Sequence, residues 1–195
     1  KQSKKQPLRN VEPIAKPGPT ANAVEKDGYV MSADDYFMLK DFSKANSMYD
    51  VVVTNALPQS DYAMFQKAMI AGIKSATGKI AGLNSLARLY PQSSLVPDAT
   101  MEIANTYMAD EKFREAIPYL TKVLSYTNAG GLKPKAYLKL GLSYYNLDNN
   151  DQALTNYQQL IQQYPQSAEA DEALDNIKNI YVEAGKPNEY VELMR

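Results

Sequence analysis

PKAYLKLGLSYYNLDNNDQALTNYQQLIQQYPQS, residues 134–167, reads as one complete helix-turn-helix unit. Tyr137, Leu140, Gly141 and Tyr144 fall at i, i+3, i+4 and i+7 of a first helix, and they form one apolar stripe. Ala153, Leu154, Tyr157, Leu160, Ile161 and Tyr164 form the facing stripe at the same period. Gly141 carries no side chain, so a second helix can approach closely there, although an interior glycine costs a helix about 1 kcal/mol. Ala153 makes the same allowance from the other helix. Leu147-Asp148-Asn149-Asn150-Asp151 separates the two, because Asn and Asp bond the local backbone in competition with helix, and Asp151 is placed to cap the second helix. Tyr164-Pro165 ends that helix, since the residue before proline avoids the helical region, and Ser167 can cap the next one.

The spacing of these residues, aromatic-x2-Leu-Gly-x2-Tyr, then Ala-x3-aromatic, then Pro, resembles the tetratricopeptide repeat, with tyrosines where Trp and Phe are usual. Tyr107 and Ala116 are the matching positions one unit earlier. Working outward, Pro-Gln-Ser recurs at Pro58, Pro91 and Pro165, while Asn128-Ala129-Gly130-Gly131 takes the equivalent place in between. The predicted architecture is therefore all-α: a right-handed superhelical solenoid of antiparallel helix pairs over residues 29–195. Its repeats are about 29–60, 61–93, 94–130, 131–167 and a partial 168–195. Pro97 and Pro134 open first helices, whereas Pro118 falls about two turns into a second helix and predicts a kink or a lengthened first turn. The ending on Tyr190, Val191, Leu193 and Met194 is too apolar for a capping helix, and the opening on Lys1 is not an initiator, so a piece of a longer chain is expected.

Residues 1–28 hold four of the eleven prolines, and residues 1–20 carry five Lys/Arg against one Glu, which predicts a basic, extended linker. Its Leu8, Val11 and Ile14 are expected to pack on the N-terminal repeats, with a passive linker as the alternative. The remainder is mildly acidic, and no run approaches the ~18 apolar residues of a membrane helix.

Composition removes several chemistries. With no His and no Cys, Ser-His and Cys-His nucleophiles and His- or Cys-ligated metals are excluded, while the redox compartment stays open. Asp34 with Asp35, or Asp171 with Glu172, does not converge on one substrate atom, because neighbours on a helix diverge by about 100°. No phosphate-binding glycine loop is present, and stacking on nucleic acid lacks a basic face. No enzyme activity, metal or cofactor is expected.

The resemblance implies a protein or peptide partner held on a concave face built by the first helices. In register, that face carries Met64, Met101, Asn105, Met108, Leu138, Leu142, Tyr145 and Asn179. Packing between neighbouring repeats is the competing reading of these side chains. Relatives that grip acidic C-terminal tails use a basic and Asn clamp; here Met64, Met101, Leu142 and Asp175 stand at several of those places, so chaperone-tail recognition is not expected. The repeated YPQS closures also resemble tetratricopeptide proteins of Gram-negative envelopes, of the Bacteroides group in particular. That implies a periplasmic or outer-membrane-associated scaffold, with a structural spacer and a cytoplasmic location as alternatives.

Overall fold

The computed structural model describes residues 28–195, so the Pro-rich segment and its expected contacts lie outside the described residues, apart from Gly28. The described residues hold ten α-helices, one 3-10 turn and no strand. They divide into two compact units, 28–106 and 107–195.

The first unit contains α1 (Gly28–Met38), α2 (Phe42–Thr54), α3 (Ser60–Ala71), α4 (Ala76–Leu89) and α5 (Val96–Ala109) as far as residue 106. In it α1 packs on α2, α2 on α3 and α3 on α4. The second contains the end of α5, α6 (Phe113–Ser125), a 3-10 turn (Gly130–Leu132), α7 (Lys133–Asn146), α8 (Asn150–Gln163), α9 (Ala168–Glu183) and α10 (Pro187–Leu193). Here α7 packs on α6, on α8 and, across α8, on α9.

Three of the second helices share one buried stripe, taken from their fourth, eighth and eleventh residues. It reads Ala45, Tyr49, Val52 on α2; Ala116, Leu120, Val123 on α6; and Ala153, Tyr157, Leu160 on α8. These are i, i+4 and i+7, one face of a helix, and burial of that face supplies most of the stability of elements too short to persist alone. On α4 the eighth and eleventh residues, Leu83 and Leu86, are buried in the same way, but the fourth is Lys79. The close approach of backbones moves there to Gly82, where a Cβ would lie 2.9 Å from that of Ala68.

Within four of the five pairs the same three-residue turn joins the helices. Its middle residue is left-handed: Lys40 (φ 60°), Glu111 (φ 57°), Asp148 (φ 59°) and Gly185 (φ 72°). The next N–H then reaches back to a tyrosine carbonyl of the first helix, Asp41 to Tyr36, Lys112 to Tyr107, Asn149 to Tyr144 and Lys186 to Tyr181, at 2.8–2.9 Å. These bonds satisfy carbonyls left open by the ending helix, and only Gly185 takes the left-handed conformation without a Cβ penalty. The α3–α4 pair departs from the pattern: it uses Gly72 to Ser75, and the Ser75 hydroxyl accepts from Gly78 N at 2.9 Å.

One expectation about helix ends needs correction. Asp151 does not cap α8; Asn149 does, accepting from Gln152 N at 3.1 Å, and Asp151 sits inside the first turn, where its charge faces the positive end of the helix dipole. The three-residue turn fixes this outcome, because it spends Leu147 and Asp148 before the cap. Pro118 lies inside α6, which runs from Phe113 to Ser125. It lies on the exposed side opposite Ala116, Leu120 and Val123, where water can solvate the carbonyl that loses its N–H partner.

Candidate functional site

The inner first helices α3, α5 and α7 differ from the second helices in being buried on more than one side. On α5, Val96, Ala99, Thr100, Met101, Glu102, Ile103, Ala104 and Asn105 are all buried. A helix buried almost all round has neighbours on most faces. This places the expected groove residues. On α3, Met64 is half-buried. Met101 and Asn105 on α5 are 4% and 8% exposed, and in the second unit Met108 is fully buried. Leu138 and Leu142 on α7 are buried, Tyr145 is half-buried, and Asn179 on α9 is exposed.

Within the second unit, Leu138, Leu142 and Tyr145 share one face of α7. The Tyr145 hydroxyl donates to a Glu183 carboxylate oxygen of α9 at 2.6 Å, one turn from Asn179. Burial, then the Glu183 carboxylate, push that phenol up to about 12, so it remains a neutral donor. Asp175, Asn179 and Val182 stay exposed on α9, the last at 53%. The face that remains open is therefore the α9 rim beside Tyr145.

The repeat-packing residues are placed by their chemistry. Gly141, Leu140, Ala153 and Tyr157 are buried, with Tyr157 donating surface to the bare Gly141 backbone. Asn176 of α9 donates its side-chain N–H to the Tyr157 hydroxyl at 3.4 Å. The Tyr107 ring meets that of Tyr119 at 5.8 Å and the Tyr137 ring that of Tyr164 at 6.4 Å, so Tyr107 and Tyr137 sit between helices of a pair; Ala116 is buried, Tyr144 is half-buried, and Pro165 is exposed at the turn.

Sequence reasoning missed two polar clusters in the first unit. In one, the Tyr49 and Tyr62 hydroxyls both donate to the same Asp34 carboxylate oxygen, the latter at 2.7 Å, and Gln66 donates to the Tyr62 hydroxyl at 3.2 Å. Burial foremost, then the Asp34 carboxylate, raise both phenols well above their ordinary value. In the other, Lys79 Nζ lies 3.0 Å from Glu102 Oε2, near enough for an ion pair but off the line of a directed hydrogen bond. The Lys79 stem passes over Gly72, where a Cβ would come within 2.7 Å of Lys79 Cδ. Glu102 Oε1 accepts from Asn105 Nδ2 at 3.4 Å. One turn before Glu102, Asp98 is half-buried, and burial, then the like charge of Glu102, hold its carboxyl above the usual range. The signal was present in VPDATMEIANTYMA: two carboxylates four residues apart on an otherwise apolar helix are one turn apart on one face.

Among the described residues no helix is long and apolar enough to cross a membrane, and no group of three or more acidic, His or Cys side chains is placed to hold a metal ion.

A tetratricopeptide-repeat family model matches residues 135–167. No curated protein matches the chain by sequence. Among solved structures the chain is similar to MamA, at 21% identity and a TM-score of 0.65 over 84% of this chain and 85% of that one. A second MamA crystal structure gives 21% identity and 0.64, over 82% and 88%. The tetratricopeptide-like repeats of a putative kinesin light chain from Podosopora anserina align at 14% identity and 0.58, over 85% and 89%. At these identities the likeness shows the fold: an all-α solenoid of tetratricopeptide type.

Proposed function

We propose that this chain is a non-enzymatic protein–protein interaction scaffold, and that the first-helix faces receive a peptide segment or a partner helix. The observation that carries the reading is the stacking of α7 beside α9, with Tyr145 bound to Glu183 and the neighbouring Asp175, Asn179 and Val182 left open. Side-by-side first helices present a continuous surface that no single helix could, and solenoids use such surfaces for binding. A structural spacer is the second reading, favoured by the burial of Met101, Met108, Leu138 and Leu142.

Site-specific cross-linking separates the two. A photo-reactive residue at Asn179, exposed on α9, should give a discrete adduct that maps to one short partner segment, whereas the same probe at exposed Gln158 on α8 should give none. Equal capture at both positions, or at neither, would favour the spacer. A place in a Gram-negative envelope, periplasmic or at the outer membrane, rests on the sequence resemblance alone; fractionation of cells expressing the full natural gene tests it against a cytoplasmic location.

A further inference from the structure

Asp98, Glu102 and Asn105 stand at i, i+4 and i+7 on α5, so their side chains form one row. Glu102 has Lys79 as its counter-ion. Asp98 is half-buried without a pairing cation among the described residues; the hydrogen bond it accepts comes from its own backbone N–H. Asn105 turns its N–H toward Glu102, which leaves Oδ1 without a donor although the residue is only 8% exposed. The reverse orientation of the amide would set two acceptor oxygens against each other. The row therefore offers mainly acceptor oxygens, with one uncompensated negative charge at its N-terminal end.

Such an arrangement costs folding free energy. Burial and the neighbouring Glu102 both penalise ionised Asp98, and a buried carbonyl oxygen without a donor loses its hydration. A site kept in that condition is completed by a ligand that brings positive charge and several N–H donors at once. A guanidinium does so in a planar fork that matches carboxylate and amide oxygens, and it sheds water more readily than an ammonium.

We infer that the Asp98–Glu102–Asn105 row of α5 takes an arginine side chain of the bound segment, which makes it the charge-reading subsite of the first unit. This rests on the reading that the first-helix faces bind a peptide. The same row repels a terminal carboxylate, in agreement with the lack of a basic clamp on these helices.

The test is an array of randomised octapeptides with the central residue fixed as Arg, Lys, citrulline, Leu or Glu, probed with the full chain at about 0.15 M salt, which screens diffuse attraction. Arg peptides should be retained about tenfold better than citrulline peptides of the same shape. Asp98→Asn should bring the two within about twofold while keeping or raising the melting temperature, since it removes the penalised charge. Binding without an Arg preference would overturn this inference and leave peptide binding standing; no binding to any peptide would overturn both. An Arg preference that survives Asp98→Asn and also Asn105→Leu would place the subsite elsewhere and overturn it.

Discussion

Gly141→Ala is expected to destabilise the chain by about 3 kcal/mol and to lower its melting temperature by roughly 10 °C. A Cβ built at Gly141 falls 2.2 Å from Cε1, 2.5 Å from Cδ1 and 2.6 Å from Cζ of Tyr157. The obstacle is a ring, not the end of a flexible chain, and the ring is held: Tyr157 is 1% exposed and its hydroxyl is tied to Asn176. Relief requires α7 and α8 to separate, which loosens the contacts of Leu140, Ala153 and Leu160 together. Gly130→Ala and Gly131→Ala serve as controls, since nothing lies within 4 Å of a Cβ at either position. Thermal unfolding of the three variants checks the claim. A loss below about 1 kcal/mol at Gly141, or equal losses at all three, would mean that the ring does not set the helix spacing.

Lys79→Ala should cost about 3 kcal/mol, although alanine is what α2, α6 and α8 carry at the same place. An argument from the repeat pattern alone predicts the opposite sign. The physical reason is Glu102, which is 6% exposed at its side chain and loses its counter-ion, while the 15% exposed Lys79 has water within reach. The asymmetry gives a second readout: Glu102→Leu alone should cost less than Lys79→Ala, because the freed lysine can extend to solvent and the carboxylate cannot. The double variant Lys79→Ala/Glu102→Leu should recover to within about 1 kcal/mol of wild type. Urea unfolding of the four proteins measures the cycle, and simple additivity would contradict an ion pair that matters.

The contrast between these two residues shows how far the sequence could be read. Gly141, Ala153 and Tyr157 were legible because each has a task that follows from its own chemistry and a fixed offset: close approach, close approach, and filling of the gap. The helix pairing of the fourth repeat follows from those offsets alone. Lys79 was not legible, because its task depends on Glu102, a residue 23 positions away on a different helix. Periodicity also cannot separate two buried stripes on one helix. Met101 and Met108 fit a groove register and a core register equally well, and their burial is decided by neighbours that approach α5 from several sides. The cap of α8 failed for a different reason. Asn149, Asn150 and Asp151 are all competent caps in isolation, and the left-handed residue at Asp148 chooses among them.

Methionine methyl resonances report most directly on whether the first-helix faces bind a peptide. The chain has eight methionines, of which Met64 and Met101 lie on α3 and α5, Met108 near the end of α5, and Met48 on the second helix α2. With carbon-13 at every methyl and the best-retained octapeptide of the array as titrant, Met64 and Met101 should shift in a saturable manner while Met48 and Met194 stay in place. Met64 and Met101 unmoved under saturating peptide would contradict a binding surface on the first helices of the first unit.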